Sequence, residues 1–254
     1  MTVTEQFNEA RTLAREIVRT FAPPRFYIDL SREVELSKGN LHSHPVLERA
    51  RTIVKGADEH FGHGLRHSEK VAIDAGAIVQ NELARTEAVS EKIARAVFLV
   101  QLASLFHDIR RRMPDHARQS ALTADEILAD FPVERAEREW IVGAIRNHEA
   151  FIEPAQMECP EGQLLSDALY DADKFRWGPD NFSDTVWEMI TPERLHMGVV
   201  LAHFPKGMEG IKRIATTFRT ETGKKYGPEF IDIGMAIGQK LYEELLKRFP
   251  LENT

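Results

Sequence analysis

One segment limits the possible folds more than any other. From Ile93 to Phe106, in "IARAVFLVQLASLF", apolar residues fill nearly every position. A helix that is apolar almost all round has no face for water, so other elements must cover it on every side. Ile93, Val97, Val100, Ser104 and His107 form one row of i+3 and i+4 steps along it. The segment then reaches His107 and Asp108 and turns abruptly basic at Arg110, Arg111 and Arg112. Burying a histidine and a carboxylate at the end of such a helix is costly unless something compensates their charge and their hydrogen bonds. A metal ion is one compensation, and the rest of the chain must supply its other ligands.

The surroundings of this central helix are predicted to be helical too. Strand signals are nearly absent and period-3.6 patterns recur from end to end. A first helix is expected over about 4–21, with Phe7, Ala14, Ile17, Val18 and Phe21 near one stripe and Pro23-Pro24 ending it. "RFYIDLSREVELSKGN" reads as an irregular connection. A helix follows Pro45 and stops before the "FGHG" turn at 61–64, and another covers about 64–85. The central helix starts with Ser90 as its N-cap. Further helices fit 116–129, 135–150 and 161–173. "ITPERL" puts Thr191 at an N-cap and Pro192 at the first helical position. Two last helices, about 206–219 and 228–248, complete the pattern. The expectation is an all-α, multi-helix bundle in one domain over 1–254. Its motif-bearing core spans about 60–175, and 180–254 forms a helical extension packed on that core. A chain of 254 residues suffices for one large core.

Composition excludes several functions. A formal net charge of −7 argues against binding of nucleic-acid polymers, which need a basic surface, but not against a small anion in a local basic pocket. The single cysteine, Cys159, permits neither an internal disulfide nor a thiolate zinc site. "MTVTEQFNEARTLAREIV" has Glu and Arg where a signal peptide needs an apolar core, and no run approaches a membrane span. A cytoplasmic location is the default expectation. Phosphate loops of the Walker type and a GxGxxG fingerprint are missing, and no Ser or Cys stands in a recognisable nucleophile setting.

Histidines and aspartates recur on the inner faces of the expected helices. His67 begins a row with Val71, Ala75 and Ile78; Ile141, Ala144, Ile145 and His148 share a face; Leu165, Leu169 and Asp173 lie on an i+4 row. His116 opens the helix in "HARQSALTADEIL". Asp108 lies about 100° round the helix from His107, close enough for both to converge on one point. Each residue alone has a plain explanation, a hydrogen-bonded core histidine or a helix cap. Together, His67, His107, Asp108, His116, His148 and Asp173 would be a costly set of unrelated buried groups, and a shared metal site explains them at once. His63 and Asp171 are alternatives to His67 and Asp173.

"HSEKV" at His67, "LFHDI" at His107 and Asp108 and "DADKF" at Asp173, in this order, resemble the HD superfamily of metal-dependent phosphohydrolases. Its signature is a histidine, a His-Asp dyad and a distant aspartate on successive helices. The family's first histidine is commonly followed by Arg and Val, where this chain has Lys70 and Val71. His116 and His148 look like the extra histidines of members with an expanded ligand set, and "FRTETGKKYG" is similar to the tail of bacterial stand-alone members. The family context favours His67 over His63 and Asp173 over Asp171, with both alternatives open.

The resemblance implies that His67, His107, Asp108 and Asp173 hold a first ion. His116 and His148 then bind a second ion bridged by Asp108, contact phosphate or protonate the leaving oxygen, so Asp108, His116 and His148 are the catalytic candidates. A nitrogen and oxygen donor set suits Mn²⁺, Fe²⁺, Co²⁺ or Ni²⁺, with Zn²⁺ or Mg²⁺ less clearly placed. The implied reaction is hydrolysis of a small phosphorylated substrate by metal-activated water. A nucleotide is the family's usual substrate, although nothing in this sequence reads a base. Lys70, Lys174 and Arg176 are candidates for substrate binding. Arg110, Arg111 and Arg112 fit an anion as well, or else a helix C-terminus and solvent. Lys224 and Lys225 in "TGKKYG" read as a solvated turn, and "WGPDNF" reads as a turn. Two other functions compete: a di-iron oxygenase on the same scaffold, and a non-catalytic module that binds metal or ligand. The sequence leaves the oligomeric state open.

Overall fold

The computed structural model describes residues 2–57, 64–86, 88–190 and 195–249. Among the described residues all regular structure is helical, as the periodicity requires. His63, the 61–64 turn before Gly64, Thr191 and Pro192 fall outside the described residues. No described helix is long and apolar enough to cross a membrane. The chain groups into two compact units, one of 26–173 with 218–225, the other of 1–25, 174–217 and 226–254.

The first of these carries α2 (Phe26–Asp29), α3 (Ser31–Ser43), α4 (Pro45–Ala57), α5 (Gly64–Ala84), α6 (Ser90–Phe106), α7 (His116–Leu128), α8 (Arg135–Arg146) and most of α9 (Pro160–Phe175). Every residue of α6 from Val97 to Phe106 is buried. The reason is its surroundings: α3, α4, α5, α7 and α8 all pack on it. This is the central position that its unbroken apolar surface demands. Ser90 begins α6, but the N-cap is Val89, extended and without a side-chain cap.

Small residues bring α3 and α5 close. A Cβ on Gly76 would lie 2.2 Å from Ser37 Oγ, so only glycine fits there. Ser37 Oγ donates to Ile73 O at 2.7 Å, and Gln101 Nε2 of α6 donates to Ser37 O at 2.8 Å. Asn40 Nδ2 donates to Gln101 Oε1 at 2.7 Å, which satisfies a fully buried amide. The stretch 26–43 is therefore helical and not an irregular connection. Its inward row, Phe26, Leu30, Ser37 and Leu41, is broken by a serine and reads weakly as an apolar stripe.

The other unit holds α1 (Val3–Val18), α10 (Val186–Ile190), α11 (Met197–Ile214) and the larger part of α12 (Glu221–Arg248), with a π-helical stretch over Asn181–Thr185. Thr2 and Glu5 form a reciprocal capping box on α1. Phe175 stacks on Phe230 at 4.1 Å between ring centres, and Phe7 meets Trp187 edge-on at 6.1 Å. α11 begins nine residues earlier than the sequence pattern placed it, and α12 seven residues earlier, running through Pro228. "TGKKYG" is thus helical rather than a turn.

Candidate metal centre

All six inward His and Asp residues belong to the α2–α9 unit, and the fold delivers them from five helix ends. His67 stands in the first turn of α5, His107 at the C-cap of α6 and Asp108 just beyond it. His116 is the first residue of α7, and Asp173 lies near the end of α9. His148 differs from expectation: α8 stops at Arg146 with Asn147 as C-cap, so His148 is one residue beyond the cap. Its side chain reaches the cluster nonetheless.

His67 Nε2 is 3.2 Å from Asp173 Oδ1 and 3.3 Å from His107 Nε2. His107 Nε2 is 3.5 Å from Asp108 Oδ2 and 3.7 Å from Asp173 Oδ1. On the other side of the same carboxylate, Asp108 Oδ1 is 3.4 Å from His148 Nε2 and 3.6 Å from His116 Nε2. Two groups are compact enough to share an ion: His67, His107 and Asp173, and His107, Asp108 and His148. His116 sits at the margin of the second group.

Backbone carbonyls fix the orientation of two imidazoles. His107 Nδ1 lies 2.7 Å from Ser104 O, and His148 Nδ1 lies 2.6 Å from Ile145 O. A carbonyl only accepts, so in each ring Nδ1 carries the proton and Nε2 presents a lone pair to the cluster. Asp108 Oδ1 and His148 Nε2 are both buried without a hydrogen-bond partner. Two orphaned acceptors facing each other in a dry interior are what a cation would satisfy. The donor set, imidazole nitrogen and carboxylate oxygen without sulfur, fits a metal ion.

Charge within the cluster points the same way. Burial pushes the His67 imidazole below its ordinary range, against the pull of Asp173. Burial acts on His107 likewise, but the carboxylates of Asp108 and Asp173 overcome it and hold that imidazole above its ordinary range. Asp108 is kept well below the usual carboxylate range: burial opposes ionisation, and His107, His148 and Arg111 outweigh it. Burial also lowers His116. Asp108 is thus an ionised carboxylate in a buried cluster, a charge that a cation would balance.

Asp171 has a different task. It is fully buried on α9 and accepts from Arg219 N–H and Thr220 N–H, each at 2.8 Å, and from Thr220 Oγ1 at 2.7 Å. Burial nevertheless pushes its carboxyl up to about 7. Thr222 N–H donates to Glu82 Oε1 at 2.7 Å and Gly223 N–H to Thr220 Oγ1 at 2.8 Å, so side chains satisfy the opening turn of α12. Gly223 is required there, since a Cβ would fall 2.0 Å from Asp171 Oδ2. Arg219 lies over the Tyr170 ring, 3.5 Å from its centre, and Nη1 donates to Asn147 O at 3.0 Å. The 218–225 segment therefore braces α9 and the end of α8, next to Asp173 and His148.

Three further residues border the cluster: Arg111 and Ser104, which the sequence pattern places near it, and Glu149, which it does not single out. Arg111 Nη1 is 2.8 Å from His116 Nε2, and Glu149 Oε1 is 3.9 Å from His116 Nδ1. Ser104 contributes its carbonyl. Of the proposed substrate-binding residues, Lys70 is half-buried on α5, one turn after His67. Lys174 and Arg176 belong to the other unit and are almost wholly buried, with Arg176 paired to Asp180. Compared with protein-family models, with curated proteins and with solved structures, the chain matches none.

Proposed function

We propose that this chain is a metal-dependent phosphohydrolase acting on a small phosphorylated molecule, with a nucleotide as the class that the HD resemblance favours. The observation that carries the reading is the placement of Asp108. Its Oδ2 lies toward His107 and His67 and its Oδ1 toward His148 and His116, so one carboxylate serves two sets of imidazole donors. His67, His107 and Asp173, with Asp108 Oδ2, would hold a first ion, and His148 and His116, with Asp108 Oδ1, a second.

When bound, such an ion supplies Lewis acidity toward a phosphoryl oxygen and brings the pKa of a water toward neutrality. The protein's own groups do the rest. The Ser104 and Ile145 carbonyls keep the His107 and His148 rings from turning, so their lone pairs stay aimed. His116 accepts from Arg111 at Nε2 and therefore keeps its proton at Nδ1, on the side of Glu149. Where no second ion binds, His116, half-buried at the rim with Glu149 3.9 Å away, would instead contact the substrate's phosphate through its Nδ1–H.

A second reading draws on the same second donor set: a di-iron centre that oxidises its substrate with O₂. One experiment separates them. Elemental analysis of wild type and of a His107→Ala, Asp108→Ala variant, before and after Mn²⁺ or Ni²⁺ is supplied, is paired with phosphate-release assays on nucleotides. One or two equivalents of a first-row metal, lost in the variant, with metal-dependent phosphate release, is the expected result. Two irons with O₂ consumption and no phosphate release would favour the oxygenase. No metal in either protein would sink both.

A further inference from the structure

The first two of the three arginines after the dyad do different things. Arg110 is held away from the cluster: its N–H donates to Ser120 Oγ at 3.1 Å and its Nε to Thr123 Oγ1 at 3.0 Å. Arg111 turns back instead. Its Nη1 donates to His116 Nε2 at 2.8 Å and lies 3.6 Å from Asp108 Oδ1. Those two atoms also face each other at 3.6 Å, and they are two of the three donors of the second ion position.

We propose that Arg111 is a tethered cation seated at the second ion position, so that a second metal ion and the seated guanidinium exclude each other. The inference rests on the metal-centre reading above and deepens it. His116 Nε2 has one lone pair, and an arginine that never deprotonates already occupies it. Two cations sharing one carboxylate oxygen also repel strongly at such separations. The first ion position keeps its ligands, because Arg111 approaches Asp108 at Oδ1 and not at Oδ2, and contacts neither His67, His107 nor Asp173 among its described partners. The centre therefore loads as a one-ion site, and His116 is released as a ligand only when the arginine leaves. The Arg111 side chain is 50% exposed, which gives it room to swing toward solvent or toward an anion arriving there. Arg111 is in this sense a specificity residue for ion number.

The test is a Mn²⁺ titration of the full chain, read by calorimetry and by electron paramagnetic resonance, on wild type, Arg111→Gln and Arg111→Lys. The first equivalent should bind equally in wild type and Arg111→Gln. The second should bind at least about tenfold more tightly in Arg111→Gln, the worth of one charge-assisted hydrogen bond, with the spectrum of a coupled ion pair appearing at lower Mn²⁺. Arg111→Lys, which keeps the charge, should stay near wild type. Should Arg111→Gln fold poorly, Arg111→Met is titrated in its place and reads the same way. Equal second-ion affinity with and without the arginine overturns this inference and leaves the metal centre standing. No Mn²⁺ bound by any of the proteins overturns both.

Discussion

Asp171 and Asp173 stand two positions apart on α9, roughly 200° around the helix, and the two carboxylates face different chemistry. Asp173 Oδ1 meets His67 and His107, whereas Asp171 takes three donors from Arg219 and Thr220. Their substitutions should separate cleanly. Asp173→Asn should keep the fold and lose the first ion, read by elemental analysis beside circular dichroism. Asp171→Ala should leave buried N–H and O–H groups unpaired and cost about 2–4 kcal/mol in urea unfolding, while its folded fraction still takes up metal. The helical row of Leu165, Leu169 and Asp173 made the inward aspartate legible. The brace on Asp171 was not legible, because its partners lie 48 and 49 residues away. Arg111 was equally hidden. A run of arginines states charge, but where each guanidinium goes depends on the turn after α6.

At the scale of elements, helices were legible wherever the buried row was long and apolar, as in α6. They were lost where small or polar residues fill the contact. α3 buries Ser37 among its few inward residues, and the opening turn of α12 is satisfied partly by the distant Glu82 and partly by Thr220, whose own N–H and hydroxyl are held by Asp171. Gly76→Ala tests the first point. With a Cβ 2.2 Å from Ser37 Oγ, it should cost about 1–3 kcal/mol by overpacking, measured by denaturant unfolding.

The joint between α6 and α8 gives a pH test. Glu137 accepts from Arg95 Nε at 2.7 Å and from the Glu134 N–H at 2.8 Å. The Arg95 hydrogen bond holds its carboxyl below the ordinary glutamate range, against the opposing effect of burial. A lowered carboxyl stabilises above its unfolded pKa and loses that contribution as pH falls through the folded value. Glu137→Gln should therefore cost about 1 kcal/mol at neutral pH, a modest figure because Arg95 is partly exposed to screening solvent. The gap from wild type should narrow as the solution is acidified below about pH 4.3, the ordinary glutamate value.

For the molecule as a whole, ion binding and stability are linked. If the cluster takes up metal only when folded, Mn²⁺ at 100 times its Kd should stabilise the protein by about 2.7 kcal/mol. A thermal melt should shift upward with Mn²⁺, return on chelation, and not move in Asp173→Asn. The all-α class was readable from end to end, since a 3.6-residue period needs no distant partner to be seen. The interruption of the site-bearing unit was not, because nothing local marks 218–225 as belonging with 26–173. That interruption has a consequence in time. A ribosome makes Asp171 well before Arg219 and Thr220, so a chain emerging from the exit tunnel holds α9 with an aspartate whose donors do not yet exist. Translation-arrested chains exposed only to residue 217 should be cut by protease around α9, and those exposed past 225 should resist. The centre then matures late in synthesis, after all six of its ligands have been waiting in the open.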